Sequence, residues 1–122
     1  MPEAHLGPLF EQFVGLEILR WIHLQTEKMA LLFWRDANGP EVDWVLRYGE
    51  KLLPIEVKWT DSPSSRDAKH LVLFMEDHPN VKKGYVICQT RVPQSLAKGI
   101  EAISWTSLFQ ALEDWLAEAR LR

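Results

Sequence analysis

The sequence predicts an α/β fold, a central mixed sheet flanked by helices. Three observations carry that expectation: a long apolar run at helical spacing opens the chain, three strand-like runs separated by turn formers follow, and a helix, further strand-like runs and an amphipathic helix complete it. With 122 residues, 47% of them apolar, the chain can bury one core of ordinary size and not two. Residues 1–122 are therefore expected to form a single domain.

From Pro8 to about Gln25, residues Leu9, Phe10, Phe13, Val14, Leu16, Ile18, Leu19, Trp21, Ile22 and Leu24 recur at helical spacing and cover most of the circumference, which predicts a largely buried helix. Ala30 to Asp36, Glu41 to Tyr48 and Leu52 to Trp59 are rich in apolar, β-branched and aromatic residues and predict three strands. Their links, Asn38-Gly39-Pro40 and the region of Gly49-Glu50, are short and built from turn formers, so the strands should pair as an antiparallel meander. Asp61 to Ser65 is a loop by composition and offers N-cap residues to a helix from about Arg66 to Asp77, which His78-Pro79-Asn80 stops. Gly84 to Gln89 reads as a buried fourth strand and Ile100 to Trp105 as a fifth. Thr106 is expected to cap a C-terminal helix reaching about Ala119, with Leu108, Phe109, Leu112, Trp115 and Leu116 inward.

A formal net charge of −3 repels a polyanion, so any nucleic-acid contact has to be local. The lone Cys88 cannot form an intramolecular disulfide and is expected to pack as a small core residue, which fits a reducing cytoplasm. No basic leader precedes an apolar stretch and no run approaches the roughly 20 apolar residues of a membrane span, so a cytoplasmic protein without membrane contact is expected. His5, His23, His70 and His78 have no zinc-binding spacing and are assigned no role, although His70, on the second helix, is placed where it can approach the cleft. Most of the six tryptophans fall at expected core positions; Trp59 is the one candidate for base stacking.

Strand periodicity places Glu41, Asp43, Val45 and Arg47 on one face of the second strand and Val42, Trp44, Leu46 and Tyr48 on the other, which reads as the core face. In the third strand Glu56 and Lys58 share a side, and a hairpin brings Asp43 beside them. Two carboxylates held close repel each other unless a cation lies between them, and oxygen ligands suit Mg²⁺ or Mn²⁺. Glu11 lies on the apolar stripe of Val14, Gly15, Ile18 and Ile22, where an acid needs a cationic or metal partner.

A glutamate on the leading helix, an aspartate on the second strand and E-x-K on the third resemble the PD-(D/E)XK nuclease signature, here Glu11, Asp43 and Glu56-Val57-Lys58. More narrowly, L-F-E-Q-F-V-G-L-E-I-L-R, F-W-R-D-A-N-G-P-E-V-D-W-V-L and P-I-E-V-K are similar to the C-terminal domain of unknown function carried by a family of prokaryotic AAA-type ATPases, over about residues 7–105. The resemblance implies a restriction-endonuclease-like α-β-β-β-α-β core. It also implies a metal held by Asp43, Glu56 and the backbone carbonyl of Val57, with Glu11 reaching it directly or through water. Lys58 would orient and help deprotonate the attacking water, or steady charge on the phosphate. Arg35, Arg66 and Lys69 are the available phosphate contacts. No G-x-x-x-x-G-K-[ST] occurs, so no ATP site is expected in this chain. Trp59-Thr60 departs from the small residues that tend to follow E-x-K in the related sequences.

Nuclease-like folds are also used as binding modules, so two readings follow from the resemblance. One is a metal-dependent nuclease acting on nucleic acid, preferentially DNA. The other is a non-catalytic interaction or regulatory module that packs on an ATPase partner or forms a homodimer.

Overall fold

The structure is a computed structural model and describes residues 3–121, so residues 1, 2 and 122 of the expected domain lie outside it. The first helix, α1 (Glu3–His23), starts more than a turn before Pro8, which lies inside it and removes one intrahelical hydrogen bond. Phe10, Val14, Ile18, Trp21 and Ile22 of α1 are buried, whereas Leu9, Phe13, Leu16 and Leu19 are exposed. The expectation of a largely buried helix is therefore corrected: the apolar circumference is wider than the single stripe a sheet can cover.

Strands β1 (Ala30–Arg35), β2 (Glu41–Tyr48) and β3 (Lys51–Val57) form the expected antiparallel meander. Gly49, at φ 62°, is the first residue of the two-residue link between β2 and β3, a place that favours the left-handed region. A 3₁₀ turn at Ser65–Ala68 leads into α2 (Lys69–Asp77), and the chain then crosses to β4 (Gly84–Cys88), parallel to β3. Two more strands follow, β5 (Gln94–Ala97) and β6 (Ile100–Ser104). A second 3₁₀ turn at Trp105–Ser107 then precedes α3 (Leu108–Arg120). β6 runs parallel to β4 and β5 antiparallel to β6, which gives the sheet order β1-β2-β3-β4-β6-β5. The sheet is mixed, flanked by helices, and the α-β-β-β-α-β core is present.

The ends of the expected elements need four corrections. β5 was not expected, because Gln-Ser-Leu-Ala is four residues without alternation. β3 ends at Val57, leaving Lys58 and Trp59 beyond the strand. Trp105 belongs to the 3₁₀ turn, and Thr106 is not a cap; its N–H donates to Ser104 Oγ at 3.2 Å. Phe109, expected inward, is exposed.

Both faces of the sheet are covered. α1 and α3 pack on one, around Ile18, Leu46, Leu53, Ile55, Ile87 and Leu112, and the Trp21 indole donates to Glu113 at 3.0 Å to tie the two helices. α2 packs on the other face, placing Leu71 and Phe74 against Val42, Val45, Val86 and Cys88. The strict alternation expected for β2 does not hold, since Val42 joins Val45 on the α2 side rather than Trp44 and Leu46. The cause is a β-bulge: Leu32 pairs with Val45 but Trp34 pairs with Val42, so Asp43 and Trp44 together oppose Phe33. Among the described residues no helix is long and apolar enough to cross a membrane.

Candidate active site

The bulge sits where β2 and β3 part. Their regular pairing ends at Trp44 and Ile55, and beyond it side chains replace the ladder. The Asp43 carboxylate accepts the Val57 N–H at 2.8 Å, and the Glu56 carboxylate accepts the Asp43 N–H at 3.0 Å. This end of the sheet carries the C-terminal ends of the parallel strands β3, β4 and β6. Such ends collect functional groups in α/β folds because the parallel strands deliver their loops to one side.

Glu56 is 3% exposed, one of two buried polar or charged residues among those described. Burial, and then the neighbouring Asp43 carboxylate, push its pKa up to about 8. Lys58 Nζ lies 3.9 Å from Glu56 Oε2 and pulls the other way, as two residues two apart on one side of an extended chain can. Asp43, Glu56 and Lys58 are thus brought together, as the sequence led us to expect.

Glu11 stands on α1 near this group. Its backbone carbonyl accepts the Trp44 indole N–H at 3.2 Å, which fixes its turn of helix against the bulge. Burial raises the Glu11 pKa, Asp43 and Glu41 add to the rise, and Lys58 offsets part of it. Among the described residues no three His, Cys, Asp or Glu side chains lie close enough to share one ion. Asp43 and Glu56 alone supply two oxygen donors of the kind Mg²⁺ or Mn²⁺ takes. A hard cation there would complete its shell from backbone carbonyls and water, a mixture these ions accept.

The three residues expected to contact phosphate are all on the surface. Arg35 forms an exposed ion pair with Glu41 at 3.0 Å across the β1–β2 edge, and Arg66 and Lys69 are exposed at the start of the α2 segment. His70, given no role from the sequence, does reach the site. Its Nδ1 donates to the Glu41 carbonyl at 2.9 Å and lies 3.7 Å from Glu56 Oε2. Since a carbonyl only accepts, a neutral His70 carries its proton on Nδ1. The expectation that His70 can approach the cleft rests on its place in the first turn of the crossover helix, and that place brings it to Glu56.

Residues 6–108 match the domain of unknown function DUF4143. The chain belongs to the DUF4143 family. No curated protein matches this DUF4143 chain. Among solved structures it is similar to a chain from an assembly of Thermococcus gammatolerans McrB AAA+ hexamers with bound McrC, with TM-score 0.63 and 15% identity. That likeness covers 88% of this chain and 33% of the other, so the DUF4143 domain spans about a third of the length of the archaeal chain, and what the two share is the fold. A second similarity, TM-score 0.46 and 22% identity over 75% of this chain and 79% of the other, is to Hjc, a Holliday junction resolvase from Archaeoglobus fulgidus.

Proposed function

We propose that this domain is a metal-dependent nuclease of the PD-(D/E)XK type, acting on phosphodiester bonds of nucleic acid, DNA before RNA, in association with an ATPase partner. The observation that carries this reading is the buried Glu56 held against Asp43, with Lys58 at the mouth. A chain that buries one carboxylate beside another accepts a cost of several kcal/mol, roughly, unless a cation meets them. Asp43, Glu56 and the Val57 carbonyl would hold Mg²⁺ or Mn²⁺, with Glu11 contributing through water. The ion would withdraw charge from the phosphoryl oxygens. Lys58, half-exposed at the rim, orients the attacking water or steadies negative charge on the phosphate. The fold likeness to a chain of an AAA+ assembly supports the ATPase partner, as does the sequence similarity to domains carried by AAA-type ATPases.

Calorimetric titration of Mn²⁺ into the wild-type domain and Asp43→Ala, followed by cleavage of plasmid and branched DNA, tests the reading. Binding and cleavage that both vanish in the variant are expected. A folded wild-type chain that binds no Mn²⁺ would sink it.

A second reading, a non-catalytic module docking on an ATPase or on its own copy, is favoured by the exposed Leu9, Phe13, Leu16 and Leu19 of α1. It predicts no cleavage and association that survives Asp43→Ala.

A further inference from the structure

The residue beside the candidate site that the fold leaves unexplained is Trp59. It follows Lys58 directly, lies beyond the end of β3 and is 41% exposed. A surface tryptophan would ordinarily be mobile, but this one is on fixed backbone. Lys58 N–H donates to Ile87 at 3.0 Å, Thr60 N–H donates back to the Lys58 carbonyl at 3.0 Å, and Gln89 N–H donates to Thr60 at 2.8 Å. The bond from residue 60 to residue 58 makes Trp59 the centre of an inverse γ-turn, its φ not being positive. The indole also meets Phe10 at 5.2 Å between centroids and 75° between planes. An edge-to-face contact of that kind covers at most one face of the indole. Phe10 precedes Glu11 on α1 and Trp59 follows Lys58, so the aromatic contact joins the two segments that carry Glu11 and Lys58.

The charge of the chain sharpens the point. At net −3 it draws little affinity from phosphate neutralisation, and the cations near the site are few, with Arg35 already paired to Glu41. A polyanion held here needs another source of binding free energy. Stacking of a base on an aromatic ring is such a source, and it is open only to a base that has left its own stack.

We propose that the Trp59 indole is the stacking platform for an unpaired nucleobase next to the scissile phosphate, so that the substrate class is a strand with unstacked bases, single-stranded or at a fork or flap, rather than intact duplex. This rests on the nuclease reading above. Lys58 contacts the phosphate while the neighbouring indole takes the adjoining base, and the fixed backbone holds the two in register.

The test measures fluorescence anisotropy of a labelled single-stranded oligonucleotide, and of its duplex, with the full chain in EDTA, where metal-dependent cleavage cannot occur. The single strand is expected to bind more tightly than the duplex. Trp59→Ala should weaken single-strand binding roughly tenfold or more, leave duplex binding unchanged, and be largely rescued by Trp59→Phe. An abasic position next to the scissile phosphate should mimic Trp59→Ala and add nothing to it. Since Trp59 is half-exposed and meets the core through Phe10, Trp59→Ala should stay folded with a modestly lowered melting temperature, and Trp59→Phe should restore part of that loss as well.

Equal affinity for the two forms, or additive effects of the abasic position and Trp59→Ala, overturns the proposal. If Trp59→Ala instead abolishes self-association and spares oligonucleotide binding, the indole is a protein contact and the proposal is likewise overturned. Cleavage that is indifferent to Trp59→Ala removes the stacking role and leaves the nuclease standing, whereas failure to bind any nucleic acid removes both.

Discussion

The Glu56 carboxylate accepts the backbone N–H of Asp43 at 3.0 Å, while the Asp43 carboxylate accepts the N–H of the residue after Glu56 at 2.8 Å. Each acid is oriented by the backbone of the other strand, and the repulsion between them is built into the hairpin. Burial and Asp43 raise the Glu56 pKa from 4.5 to about 8. Between those values the folded chain holds a proton that the unfolded chain has released, so this group makes stability fall as pH rises through the window. Glu56→Gln keeps the acceptor and removes the charge. In urea denaturation without metal, the variant should gain on wild type from about pH 5 upward. Above pH 8 it should be more stable by several kcal/mol, on the order of 1.4 kcal/mol for each pH unit of the window, with no difference near pH 4.

Asp43→Asn separates the two parts of the contact. The amide oxygen can still accept the Val57 N–H, so the fold should lose less than about 1 kcal/mol, whereas Asp43→Ala leaves that part-buried donor without its partner and should cost about 1–2 kcal/mol. With the Asp43 charge gone, Glu56 should titrate below about 8, which carboxyl-carbon NMR would read directly. A Glu56 titration unmoved by Asp43→Asn would show that burial alone sets it.

Cys88 is fully buried, with its thiol directed to the Ile103 carbonyl at 3.7 Å, and burial pushes its pKa up. Thiolate is the reactive form, so both access and ionisation oppose labelling. In the native domain Cys88 should react with a thiol reagent on the order of a hundredfold or more slower than in denaturant, and the native rate should follow the opening of the fold. Fast labelling of the native state would contradict the packing of α2 on the sheet.

Most of the site was legible in the sequence because two periodicities meet there. Glu56 and Lys58 follow from their two-residue spacing, Asp43 from the β2–β3 hairpin although the alternation of β2 breaks there, and Glu11 from an acid interrupting a helical stripe. What escaped depends on tertiary register. The bulge at Asp43–Trp44 has no local sequence mark, yet it moves Val42 to the α2 side and opens the end of the β2–β3 ladder. The approach of His70 to the cleft was legible, but its partner was not, because the contact with Glu56 depends on how α2 crosses the sheet. β5 is stabilised by pairing with β6 rather than by its own composition. The exposed half of α1 was misread because apolar residues on two faces of a helix do not say which face the sheet takes.

The placement of Glu11 depends on a glycine one turn further along α1. A Cβ at Gly15 would stand 2.5 Å from Trp44 Cζ2 and 2.8 Å from Trp44 Cε2. The ring has little freedom to yield, because its N–H is held by the Glu11 carbonyl and its backbone by the bulge. Gly15→Ala should therefore destabilise the domain by roughly 1–3 kcal/mol despite the better helix propensity of alanine. It should also weaken Mn²⁺ binding, since the shift moves the helical turn that carries Glu11. Gly7→Ala is the control on the same helix: a Cβ there meets nothing within 4 Å, so it should stabilise by about 0.5–1 kcal/mol and leave Mn²⁺ binding unchanged. If both variants stabilise, α1 does not dock through the Gly15–Trp44 contact, and Glu11 is not positioned by it.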